Sequence, residues 1–223
     1  MPTFQLILFP GLGADARLFE PQRAAFPQLV VPPWIPPLNR ESLPDYAARL
    51  SQTIVVSHDK PLILGGVSFG GMMAYEVARH LKPDAVVQIA SCRTRHGLRP
   101  AYRAGSCLMP LIPLQVWSIA KLLASPVVGL IGQFRPVDRT AAVAMFREMD
   151  SSFMHWTVRA ILGWHPVPLE GIPVFQIHGR RDLMIPARRV EADVVIPGGG
   201  HLINMTHAEE VNAFIAAAIK ASG

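Results

Sequence analysis

Cysteine is scarce in this chain. Cys92 and Cys107 are the only two. They have no metal-ligand spacing, so neither a structural zinc site nor a disulfide scaffold is expected, and the two thiols read as unpaired. Charged residues make up 17% of the chain and aromatics 8%. No nucleic-acid motif and no basic stripe interleaved with aromatics accompanies them, which argues against a nucleic-acid partner. No basic segment, apolar leader or small-residue cleavage site precedes the apolar run that starts at Phe4. A cytoplasmic protein is expected. There is no internal repeat and no low-complexity linker. From Cys107 to Phe134 the sole charge is Lys121. Pro110, Pro113 and Pro126 nevertheless interrupt that stretch, so short apolar lid helices fit it better than a transmembrane span.

Half of the 223 residues are apolar and the mean hydropathy is +0.28, enough for one sizeable α/β core. Six short strands are expected: Phe4–Phe9, Leu29–Val31, Pro61–Leu64, Ala85–Ala90, Val174–Ile177 and Val194–Ile196. Helical patterns run from Ala16 to Phe26, with Asp15 as cap, from Ser42 to Ser57, and from Gly71 onward. A last helix is expected from Thr206 to about Lys220, opened by Thr206-His207-Ala208-Glu209 as a capping box. Strands alternating with helices imply a mostly parallel sheet with helices on both faces.

The alternation stops over residues 92–165. Helices are expected within Ala141–Trp164, with Phe146, Met149, Phe153, Trp156, Ile161 and Trp164 as the apolar set. A small core of its own is the plainer reading. A cap whose inner face is the substrate pocket is favoured, because a long insertion after a strand's carboxyl end lies over the site of such a sheet. The domain division is then 1–91 with 166–223 as core and 92–165 as helical cap. Charge follows the same division. From Arg93 to His165 eight arginines and one lysine face Asp138, Glu148 and Asp150, a net of +6 within a chain whose total is +5. A solvated face is the ordinary explanation, and an anionic substrate or partner the sharper one.

The chain is organised around Gly66-Val67-Ser68-Phe69-Gly70, between an apolar strand and a helix. A serine in such a turn takes a strained conformation that only flanking glycines permit, and its hydroxyl is lifted out of the sheet beside the first helix amides. A neutral serine also needs a base, and the base an orienting acid. Asp182 and His201 each fall just after a strand, on the same carboxyl edge as Ser68. Three glycines before His201 let its loop curl back. Asp84, Asp193 and Asp15 rank below Asp182 as the acid, His178 reads as structural, and Cys92 is a candidate pocket-lining residue with nothing to activate it.

These residues resemble the α/β-hydrolase superfamily over Phe4–Ser91 and Pro173–Ala221. The resemblance rests on the Ser68 turn, His178-Gly179-Arg180-Arg181-Asp182, and Gly200-His201 before a final helix. It implies Ser68, Asp182 and His201 as catalytic residues, and the backbone amides of Leu12 and Phe69 as an oxyanion hole. Pro10-Gly11 stands where many members have His-Gly. The chain also begins at the strand that usually comes third, as in a compact member. The expected function is cleavage of a carboxylic ester with an apolar part through an acyl-enzyme, with no metal and no organic cofactor. Thioester hydrolysis, a lyase or carbon–carbon hydrolase on the same fold, and a low-turnover ligand-binding protein remain alternatives.

Overall fold

The computed structural model describes residues 4–104, 116, 118, 119, 121, 123, 126, 128, 129 and 136–222. The lid helices expected between Cys107 and Phe134 lie largely outside these residues, as do Pro110 and Pro113. Among the described residues five strands form one parallel sheet, in the order β1 (Gln5–Phe9), β2 (Leu62–Val67), β3 (Ala85–Ile89), β4 (Val174–Gly179) and β5 (Val194–Ile196). Their apolar, mostly buried sequences are those of strands covered on both faces.

The sixth expected strand is reduced to one bridge. Val30 pairs with Ile7, accepting from Leu8 N at 3.0 Å and donating to Leu6 O at 2.9 Å. Pro32 and Pro33 follow at once and have no N–H to continue a ladder.

Side-chain alternation along β1 separates two apolar layers. Ile7 and Phe9 pack with α2 (Leu43–Ser51) and α3 (Phe69–Leu81), whereas Leu6 and Leu8 face the side covered by the last helix. In α2, Ser42 caps the first turn through Asp45 N, and Leu43, Tyr46, Ala47 and Leu50 form the buried stripe. The helix stops at Ser51, short of the expected Ser57. The expected Ala16–Phe26 helix is a 3₁₀ turn, Ala16–Phe19, running into α1 (Glu20–Ala25), with Asp15 capping through Arg17 N.

After a 3₁₀ turn, Arg95–Gly97, the α-helices with described bounds between β3 and β4 are α4 (Pro100–Ala104), α5 (Pro136–Glu148) and α6 (Ser151–Gly163). Asp150 separates the last two and caps α6 by accepting from Phe153 N at 2.8 Å. Trp156 packs on Tyr46 with ring centroids 4.3 Å apart and donates from Nε1 to Glu41 O. Just past α6, the buried Trp164 donates to Glu76 Oε1 of α3 at 2.7 Å. The segment is thus tied to the sheet layer by aromatic and polar contacts. Among the described residues no helix is long and apolar enough to cross a membrane.

The chain ends in α7 (Ile203–Thr206) and α8 (Ala208–Ala221). The expected capping box does not form. Thr206 already belongs to α7, and its hydroxyl bonds Leu202 O and His207 Nδ1 instead of an amide of α8.

Candidate active site

Ser68 lies between β2 and α3 with φ 54° and ψ −118°, a conformation L-residues rarely adopt. The flanking glycines are dictated by backbone crowding. A Cβ on Gly70 would stand 1.9 Å from Phe9 O, and one on Gly66 2.3 Å from Gly70 C. The turn is braced from below, since Ser68 N donates to Ile89 O at 2.9 Å and Ser91 Oγ donates to Ser68 O at 2.7 Å.

Two glutamines in register on β3 and β4 hold that brace. Gln176 Nε2 donates to Ser91 O, and Gln88 Nε2 to Gly71 O and Cys92 O. Both are fully buried, and it is their Nε2 donors that are satisfied, since Gln88 Oε1 has no partner. Neither glutamine is among the site residues expected from the sequence. A polar residue inside each of two otherwise apolar strands was the available signal.

The other predicted side chains meet Ser68. His201 Nε2 is 2.9 Å from Ser68 Oγ, and His201 Nδ1 is 2.7 Å from Asp182 Oδ2. A carboxylate only accepts, so the imidazole proton belongs on Nδ1 and leaves Nε2 to accept from the hydroxyl. Asp182 Oδ1 accepts from the amides of Met184 and Ile185 at 2.8 and 2.9 Å. Burial by itself would raise the pKa of Asp182. Electrostatic attraction to His201, the bonds from His178 and His201 and the Ile185 amide outweigh it, holding the carboxyl well below the usual carboxylate range.

His178 makes more contact with this group than its sequence position suggested. It is fully buried, and its Nε2 lies 2.7 Å from Ile185 O and 3.1 Å from Asp182 Oδ2. The proton therefore sits on Nε2, between two acceptors. Cys92 is buried away from the pocket, and burial pushes its thiol up to about 12. Asp15 is engaged by Arg17, Asp84 accepts from Leu62 N, and Asp193 accepts from Gln176 N.

Above Ser68 and His201 opens a cavity of about 510 Å³. Its walls are almost wholly apolar, with Met72, Met145, Met154 and Met184 among them. The loop after β1 forms one side, where Leu12 also lines the cavity and a Cβ on Gly11 would touch that of Ser68. Phe69 opens α3, and the first amides of a helix have no partner within it. The loop is also held from the α5–α6 side, since Gly13 N donates to Met149 Sδ at 3.2 Å and Arg17 bridges Glu148. Among the described residues no cluster of three or more His, Cys, Asp or Glu is placed to hold a metal ion.

A family model described as "Alpha/beta hydrolase family" matches residues 6–214. The chain belongs to the alpha/beta hydrolase family. Solved structures of the same fold include a thermophilic esterase from Thermogutta terrifontis, with TM-score 0.74 and 16% identity over 98% of this chain and 90% of that one. An esterase from Exiguobacterium antarcticum gives 0.76 and 12% over 99% and 93%. The enol-lactonase from Burkholderia xenovorans gives 0.72 and 15% over 99% and 92%. Among curated proteins no sequence matches the chain. At these identities the solved neighbours speak for the fold of this alpha/beta hydrolase, and its chemistry has to be argued from its own residues.

Proposed function

We propose that this alpha/beta hydrolase cleaves carboxylic esters with an apolar acyl part through an acyl-enzyme on Ser68. The observation that carries the reading is the hydrogen-bonded run from Ser68 Oγ through His201 to Asp182, open to an apolar cavity. In the first step Ser68 Oγ bonds to the ester carbonyl carbon as its proton passes to His201 Nε2. The carbonyl oxygen becomes an alkoxide held by the amides of Leu12 and Phe69, each donor being worth ~3 kcal/mol in the transition state. The tetrahedral adduct collapses, and the leaving alkoxide takes the proton from His201. Water then gives its proton to His201 and attacks the acyl-enzyme, releasing the acid and restoring Ser68. Asp182 keeps the imidazole in the accepting tautomer and stabilises its charged form.

No step needs a metal or an organic cofactor. Residues 92–165 act as the cap of this site, an assignment supported by Val158, Ile161 and Leu162 of α6 on the cavity wall. The location we propose remains the cytoplasm.

The test is turnover of nitrophenyl esters of graded acyl length by wild type and Ser68→Ala. A burst in wild type and a fall of more than about 10³-fold in the variant are expected, because such residues act as a unit. Undiminished turnover by the variant would overturn the reading.

A further inference from the structure

A second cavity, of about 520 Å³, lies against the far side of the segment that carries Asp182. Four arginines line it: Arg99, Arg180, Arg181 and Arg188. Three separate pieces of backbone bring them together. Arg180 and Arg181 follow β4, where their amides are fixed on Ile196 O and Gly199 O at 2.9 and 2.8 Å. Arg188 lies in the 3₁₀ turn Ala187–Arg189. That turn is fastened to the segment preceding Arg99 by the bond from Arg189 Nε to His96 O at 3.0 Å.

The charge of this cavity is not neutralised from within. Among the described residues its sole lining carboxylate is Asp182, whose side chain is 0% exposed and already engaged with His201 and His178. Among the described residues none of the four guanidinium groups makes an ion pair. Arg99 Nε is moreover buried without an acceptor. Arg180, Arg181 and Arg188 are exposed, so water screens part of their mutual repulsion, whereas the Arg99 donor is buried and unsatisfied; an anion rich in acceptor oxygens answers both.

We propose that this cavity is a phosphate-binding site. A phosphate carries up to two charges and three free acceptor oxygens, which suits four planar forks better than the single charge of a carboxylate. The phosphate is carried by the substrate, because the two cavities share a wall. Leu98 and Ala101, on either side of Arg99, and Met184 and Ile185, just after Leu183, line the apolar one, while Arg99 and Leu183 themselves line the basic one. The existence of the site does not depend on the ester-hydrolase reading, whereas its use by a substrate rests on that reading.

Calorimetric titration with inorganic phosphate at constant ionic strength, with chloride as control, tests the site in wild type and in the double variant Arg180→Ser/Arg188→Ser. Circular dichroism checks that the variant folds. Phosphate binding weakened tenfold or more in the variant supports the proposal. A phosphate signal equal to that of chloride, or unchanged in the folded variant, overturns it. Turnover of butyryl-coenzyme A and of the phosphate-free thioester S-butyryl-N-acetylcysteamine then separates the sources. A KM raised at least tenfold for the former alone assigns the phosphate to the substrate. Equal KM changes overturn that source and leave free phosphate as the ligand. Failure to turn over either thioester counts against the substrate assignment, while calorimetry alone still decides the site.

Discussion

Asp182 Oδ2 is shared by two imidazoles, with His201 Nδ1 at 2.7 Å and His178 Nε2 at 3.1 Å. With the Met184 and Ile185 amides on Oδ1, the carboxylate has four partners. A carboxylate satisfied on every side is fixed in orientation, and it fixes the ring of His201 in turn. On the proposed mechanism His178 is a positioning residue that acts on Ser68 through two intermediates.

Replacing His178 by Ala is expected to lower kcat about 10- to 100-fold with little change in KM. The side chain is outside the apolar cavity, so substrate binding is spared, and a hydrogen bond to a charged acceptor is worth about 1.5–3 kcal/mol. Steady-state kinetics checks it. A larger effect on KM than on kcat would count against a positioning role.

The depressed pKa of Asp182 makes stability depend on pH in a definite direction. Between its folded value and the ordinary value of about 3.9 the unfolded chain binds more protons than the native one, so stability rises with pH across that window. The contribution is complete above the ordinary value and is lost as pH falls through the folded one. Urea unfolding of wild type and Asp182→Asn at pH 6, 4 and 3 should show a stability difference that narrows with acid. A difference independent of pH would refute the assignment.

Much of this arrangement was legible from residue spacing. The glycines at 66 and 70 report a steric requirement, so the turn they flank could be read directly. Asp182 and His201 could be placed because both follow apolar runs whose parallel pairing puts their carboxyl ends on one edge. Other features depended on contacts between distant segments. Val30 has the composition of a strand residue, yet the prolines after it limit it to one bridge. Thr206 has the spacing of a cap, yet Leu202 O captures its hydroxyl. The arginine cavity was hidden because the expected basic segment ended at His165, whereas three of its four arginines come from the β4–β5 connection.

Gly70→Ala is expected to remove at least ~3 kcal/mol of stability, or to prevent folding. The new Cβ would meet Phe9 O at 1.9 Å and Pro10 O at 2.6 Å, both backbone atoms that no rotamer change can move. Chemical denaturation compared with Gly163→Ala, where nothing lies within 4 Å of the new atom, provides the contrast. Equal stability of the two variants would contradict the crowding described at the turn.

The apolar cavity predicts how rate depends on chain length. Each methylene buried adds about 0.8 kcal/mol, so kcat/KM should climb about fourfold per CH₂ until the space is filled. Val158→Trp projects bulk into the wall. It should shorten the preferred acyl chain, lowering kcat/KM for the longest accepted ester at least tenfold while leaving the acetyl ester within about threefold. Uniform loss across the series would mean that the acyl group lies elsewhere.

The most direct test of the account is the site of covalent labelling by a fluorophosphonate, read by peptide mass spectrometry. Hydrogen bonding to His201 should activate Ser68 alone among the serines. The account predicts a single adduct on Ser68 that disappears in His201→Ala. An unlabelled protein, or an adduct on another serine with Ser68 untouched, would contradict it.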